Sequence, residues 1–189
     1  MKNRFALLPI ALWLLTAAAS PRSSIAQDNS STNPAAIGSP VRSMVELGSV
    51  YTNIYDITIT VLEAVRGEKA VSRLKEADPG NPAPPEGFEY ILARVRFEFN
   101  GRAVTDRLSF DLGNAPLQWV ALSSDLMEYP RASVSVPKPS LTGLVKPGQT
   151  VEGWVAFAVD RKDAKPVMVF DPDIGGATGR GRALFFKLY

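Results

Sequence analysis

The chain has 189 residues, 46% of them hydrophobic, with 21 Lys+Arg against 19 Asp+Glu and neither histidine nor cysteine. Without imidazole or thiolate, Ser-His-Asp and Cys-His mechanisms are excluded, and so are zinc and blue-copper sites. Three of the basic residues and none of the acidic ones lie in residues 1–26, so the remainder carries a formal charge of −1 and exerts no global pull on nucleic acid or anionic lipid.

The N-terminus has the three parts of an export signal. Lys2 and Arg4 form a basic n-region, Phe5 to Leu15 is almost wholly apolar, and small residues follow. Cleavage is expected after Ala26 or, as the alternative, after Ala19. The apolar run falls short of the roughly 20 residues a spanning helix needs, so no membrane segment is expected after cleavage; retention as an uncleaved anchor is the remaining alternative. Residues 27–44 read as a flexible leader, because 27–42 is rich in Ser, Asn, Pro and Ala and has no apolar periodicity.

From there the period is two. In Tyr55–Arg66 the odd positions Tyr55, Ile57, Ile59, Val61 and Val65 are apolar, and Asp56, Thr58, Thr60 and Arg66 alternate with them. In Phe88–Phe99, Ile91, Ala93, Val95, Phe97 and Phe99 share one face, and Arg94, Arg96 and Glu98 form an ordinary solvated one. Such alternation of β-branched and aromatic residues marks half-buried strands. Asn100-Gly101 is a turn dipeptide. Shorter strands follow at 108–112, 117–122 and 141–144. Lys146-Pro147-Gly148-Gln149 fits a type II turn. Val151–Val159 puts Val155, Phe157 and Val159 opposite Glu152, Trp154 and Asp160, and 167–170 and 183–188 complete about eight strands. No segment shows sustained helical periodicity, although 160–165 has the length of a single turn. The expected architecture is all-β, an immunoglobulin-like antiparallel sandwich of about 7–8 strands spanning 45–189. With no cysteine it must stand on its core alone. A domain of about 150 residues, which buries roughly 68–70% of its unfolded surface, has enough core for that.

Two long connections stand out, 72–87 with four prolines and 123–139. Loops of this length are commonly functional, and these are the candidate binding edge. Other constellations are weak. The glycine-rich 175–181 lacks the Lys-Ser/Thr ending of a phosphate loop and reads as a hairpin bearing Arg180, with Arg182 just beyond it. Met1, Met44, Met127 and Met168 are scattered and form no copper-ligand cluster. Asp171 and Asp173, with Asp125 and Glu128 in the second long connection, lie in loops that could meet at one end of a sandwich. Calcium takes several oxygen ligands, but its usual loop spacing is missing and turn formation is their ordinary role. Trp119 and Trp154 are expected in or beside the core, and Tyr129, next to Pro130, is expected exposed.

Residues 145–159 (a Pro-Gly turn, then Gly153-Trp154 opening an apolar strand), followed by 163–172, resemble bacterial secreted immunoglobulin-like domains of the telokin-like kind. Tyr55–Gly67 and Phe88–Phe99 fit that family's first two core strands, so the resemblance covers roughly 45–189. Its motifs are turn and core features, so it implies a fold and carries over no catalytic residue. No catalytic, cofactor or metal residue is therefore assigned, and no enzyme activity is expected. The expectation is a secreted or periplasmic binding module with a protein or envelope partner. The alternative is a carrier of a small ligand or calcium.

Overall fold

The computed structural model describes residues 24–25, 28–48, 51–113, 118–173 and 179–189. Most of the expected export segment, and 174–178 of the glycine-rich stretch, lie outside the described residues. Among them are eleven strands and one helix: β1 (Ser24–Ile25), β2 (Val41–Leu47), β3 (Asn53–Arg66), α1 (Glu68–Ala77), β4 (Phe88–Gly101), β5 (Phe110–Asp111), β6 (Trp119–Leu122), β7 (Leu144–Val145), β8 (Gln149–Asp160), β9 (Val167–Phe170), β10 (Gly179–Gly181) and β11 (Leu184–Lys187). No described helix is long and apolar enough to cross a membrane.

The alternating segments form the larger sheet, in the order β1-β2-β3-β4-β8, with β10 also paired to β2. A second sheet, β11-β9-β6, packs on it, and β5 and β7 form a small pair. After β4 the chain passes repeatedly from one sheet to the other, giving an all-β sandwich. The core between the sheets holds Tyr55, Ile57, Ile59, Val61, Val95, Phe97 and Phe99 from the larger sheet against Trp119, Met168, Phe170, Leu184 and Phe186 from the smaller. Trp119 lies 4.6 Å from Phe170, centroid to centroid, and Phe110 bridges Phe97 and Phe170.

The period-two reading fails at one point, with large consequences. Between Val61 and Glu63 the register of β3 on β4 shifts by a β-bulge. Before it, odd residues face the inter-sheet core; after it, even ones do. Val65 therefore leaves the face of Tyr55 and Val61 and joins Leu92 and Ala156 on the outer face. The reason is written in the sequence: without a phase change, Glu63 would point into the core, where an unpaired charge is prohibitive.

That outer face is covered by a second apolar layer. The stretch expected to be non-helical contains α1, whose Ala70 and Leu74, one turn apart, are buried against Val65, Tyr90 and Leu92. The helix is hidden in the sequence because a connection taken to start at Ser72 cuts it in two. The extended strap 132–136 adds Ala132, Val134 and Val136 beside Ala156 and Ala158.

Smaller corrections follow from hydrogen bonding. Residues 28–40, expected as a flexible leader, are tied to the sheets: Asn29 donates to the Phe185 carbonyl (2.7 Å) and accepts from its N–H (2.8 Å), Ala35 bridges Phe186 of β11, and Gly38 N–H donates to the Val61 carbonyl of β3 (2.7 Å). Val41 already belongs to β2. Ser24–Ile25 runs parallel to Val41–Arg42, a pairing that survives export only if the cut falls after Ala19. Asn100 and Gly101 continue β4 opposite Asp56 and Tyr55 rather than turning. Gly179–Gly181, expected in a hairpin, is strand β10 on β2. The 160–165 segment is a turn closed by Asp163 N–H on the Asp160 carbonyl (3.0 Å). The type II turn is as expected, with Gly148 at φ 84° and Gln149 N–H on the Lys146 carbonyl (3.0 Å).

Leu74→Ala removes the helix anchor from a fully buried site and is expected to cost about 2–4 kcal/mol by urea denaturation. A loss below about 1 kcal/mol would mean that α1 is not part of the cooperative fold.

Candidate functional site

Crossing the larger sheet just beyond the bulge, Glu63, Arg94 and Trp154 stand in register on β3, β4 and β8, on the outer face. This row floors an open groove of about 930 Å³. One wall is the last turns of α1, with Arg73, Glu76 and Asp78; the other is the strap, with Ser135, Val136 and Lys138. The two long connections that the sequence marked as a binding edge therefore do meet, although over a sheet face and not at a loop end of the sandwich.

Each side chain has a physical reason for its place. The Arg73 guanidinium lies 5.2 Å above the Trp154 ring and 2.9 Å from Glu63, so a cation–π contact and an ion pair hold it across the floor. Both partners of that ion pair are about 40% exposed, which limits its stability contribution. Arg96 and Arg94 grip Glu152 at 2.7 and 2.8 Å, and together they hold its carboxyl below the usual range, Arg96 foremost. The Arg94/Arg96 face is thus an ion-pair lattice and not merely solvated.

The wall is clipped together by Asn81, which is 3% exposed. Its amide donates to the carbonyls of Leu74 (2.7 Å) and Ser135 (2.8 Å), and its oxygen accepts from Ser135 N–H (2.6 Å). Asp78 completes the clip, accepting from Gly80 N–H and from the Ser135 hydroxyl. Those two bonds, with Lys75 nearby, keep its carboxyl below the usual range. Behind the strap a smaller hollow of about 290 Å³ is lined by Val134, Val136, Leu141 and Ala156, and Trp154 and Lys138 border both spaces. Past the strap, Ser140 and Leu141 run close along β8 because Gly153 has no side chain: a Cβ there would lie 2.4 Å from the Leu141 nitrogen.

Trp119 is buried in the core and Trp154 is half-buried at its outer margin, as expected. Tyr129, expected exposed, is half-buried. Its hydroxyl donates to Asp163 (2.8 Å), and its ring meets Phe88 edge-on at 6.4 Å. Burial and the Asp163 charge raise its pKa to about 12. For Asp163, burial works upward, but hydrogen bonds from Lys165 N–H, Tyr129 and Ser124 outweigh it and leave the carboxyl lowered.

The four carboxylates considered for calcium are not brought together. Leu122 pairs with Val167 and Trp119 with Phe170, so Asp125 and Glu128 follow one end of the smaller sheet while Asp171 and Asp173 follow the other. Asp171 and Asp173 each accept a backbone N–H, from Asp173 and Gly181 respectively, both at 3.0 Å. Among the described residues no group of three or more acidic side chains is placed to hold a metal. Arg182 donates to the Asn29 carbonyl (2.5 Å).

Reasoning from sequence missed Arg73 and Glu63. The available signal was Trp154 itself, a large aromatic on the same face as Glu152.

Two outcomes test this geometry. Asn81→Ala strands three backbone partners, the buried Leu74 carbonyl and two partly buried groups of Ser135, and should cost about 2 kcal/mol in urea, with faster hydrogen exchange confined to 74–81 and 132–136. Tyr129→Phe should cost about 1 kcal/mol at neutral pH. The Asp163 carboxyl is lowered in the fold, so that deficit should shrink as pH falls below its unfolded value of about 4. The tyrosine is raised, so its contribution holds below pH 10 and is lost as pH climbs toward 12. A pH-independent difference in melts would contradict the contact.

No protein-family model matches the sequence, and no curated protein does. The expected telokin-like kinship is therefore unmatched. Among solved structures the chain is similar to one from Bacillus subtilis subsp. subtilis str. 168 described as a "putative lipoprotein (ycdA)", at 12% identity and a TM-score of 0.46, over 69% of this chain and 36% of that one. The chain thus spans about a third of the length of that structure.

Proposed function

We propose that this is an exported, non-catalytic binding module of the cell envelope or extracellular space, and that it holds its partner in the groove between α1 and the strap. The convergence of both long connections over the Glu63–Arg94–Trp154 row carries this reading. A half-buried tryptophan under an arginine is the kind of side-chain pair on which protein interfaces concentrate their binding energy. The exported location rests on the signal-like residues 1–26, and kinship with telokin-like domains rests on the turn and strand residues of 145–172. The absence of histidine and cysteine from the sequence supports binding over catalysis. The calcium alternative has no donor set to rest on, because its carboxylates lie at opposite ends of the smaller sheet.

Site-specific photocrosslinking in the envelope tests it. A crosslinker at Glu76 or Lys138 should trap a partner, one at Lys162 on the distant β8–β9 turn should not, and Trp154→Ala should abolish the adduct. Equal trapping at all three positions, or none, would refute the assignment.

A further inference from the structure

The end of the sandwich away from α1 carries a second, different surface. Register places three points of the chain there: the Leu47–Asn53 pair of β2 and β3, with Tyr51 just before Asn53; the β4–β5 loop, which follows Gly101 opposite Tyr55; and the β7–β8 turn, which precedes Gln149 opposite Phe99. Each presents a large apolar side chain to solvent. Val104 is 91% exposed, Tyr51 88% and Leu144, just before the β7–β8 turn, 66%. Scattered single exposures are ordinary, but these share one end of the molecule.

Between the last two of these runs an open hollow of about 620 Å³, lined by Val104, Asp106, Arg107, Ser109, Lys146 and Pro147 among others. Its charge leans positive, with Arg107 and Lys146 against the carboxylate of Asp106. Asp106, the hollow's carboxylate, is 7% exposed. It spends one oxygen on the N–H groups of Arg102 (2.7 Å) and Ala103 (2.8 Å). Arg107 donates to the carbonyls of Val104 and Asp106, a neutral pairing that leaves its charge uncompensated. Lys146 makes no ion pair among the described residues. The loop is built and not merely draped: Asp106 N–H returns to the Ala103 carbonyl (3.1 Å), Leu108 N–H donates to the Tyr55 hydroxyl (3.2 Å), and Arg102 is fixed on Asp56 (2.6 Å). Val104 is therefore held out at the tip.

We infer that this end docks on an anionic lipid surface, with Val104, Leu144 and Tyr51 entering the headgroup–acyl boundary and Lys146 and Arg107 meeting lipid phosphates. Separated apolar tips around a basic hollow suit a soft surface that admits each independently, whereas a protein partner calls for a contiguous, closely complementary patch. The chain beyond residue 26 is near neutral overall, so the attraction is local and is felt within about a Debye length, roughly 10 Å. The inference does not depend on the groove under α1, which lies elsewhere on the larger sheet.

The test is co-sedimentation of the exported protein, recovered from its host, with vesicles of phosphatidylcholine alone or mixed with phosphatidylglycerol. Binding is expected to the anionic vesicles only and to fall with added salt. Lys146→Glu should weaken it about tenfold or more, since one basic residue near such a surface is worth roughly fivefold. Val104→Asp should weaken it comparably, and Arg73→Glu, in the other groove, should leave it unchanged. Circular dichroism of each variant guards against misfolding, which these exposed positions make easy to avoid. Absence of binding, equal binding to neutral vesicles, or indifference to both tip variants would overturn the proposal. So would a soluble polyglutamate peptide that shifts the Val104 and Lys146 amide resonances where vesicles do not, since the partner would then be an acidic protein.

Discussion

One residue too many in β3 sets the plan of this molecule. Up to Val61 the strand keeps the strict alternation that buries one face between the sheets. The bulge before Glu63 then exchanges the faces. The exchange turns a glutamate outward that would otherwise enter the core, and it turns Val65 outward as well, leaving an apolar row of Val65, Leu92 and Ala156 that water would otherwise touch. At roughly 25 cal/mol per Å² of apolar area, leaving such a row uncovered forfeits several kcal/mol, a large share of the margin on which a domain without disulfides stands. Helix α1 and the strap supply the missing cover. The larger sheet is thus half-buried at one end and buried on both faces at the other.

The same shift makes the groove. Glu63, Arg94 and Trp154 line up on the outer face where the apolar cover thins out, and Arg73 reaches across them from the helix that the cover required. A device that solves a packing problem therefore also places an aromatic, three cations and three carboxylates around one depression. At the opposite end the outer face needs no cover and is mostly polar, with Met44 and Ile54 exposed on it. Side chains project freely there, Val104 from the β4–β5 loop and Leu144 from the start of β7. The molecule has two unlike surfaces because its sheet has two unlike ends.

Much of this was legible in the residues. Alternation alone located β3, β4 and β8 and assigned the right core face to Ile57, Phe97 and Val155, because over part of their length those strands have one face toward solvent and one toward the core. What alternation cannot report is a change of phase, and the charged Glu63 at an otherwise apolar odd position was the single local sign of it. Helix α1 was hidden for a related reason. It is ten residues long, sits between prolines and a strand, and buries only two side chains fully. Its apolar stripe is only Ala70, Val71 and Leu74 among charged residues, too short to stand out until the surface it covers is known. The candidate loops were found by length and proline content, but their convergence is a tertiary fact, fixed by Asn81 reaching from one to the other across 54 positions of sequence. The carboxylates failed as a calcium set for the same kind of reason: proximity to loop ends says nothing about which end.

Methyl-resolved nuclear Overhauser spectroscopy on Val65 tests the central point most directly. With the phase exchanged at the bulge, its methyl groups should show contacts to Leu74 and Ala70 of the helix and to Leu92. Contacts instead to Phe157 or Trp119, in the layer between the sheets, would mean that β3 keeps one phase throughout, and the cover, the groove and the two unlike ends would then lose their common origin in the bulge.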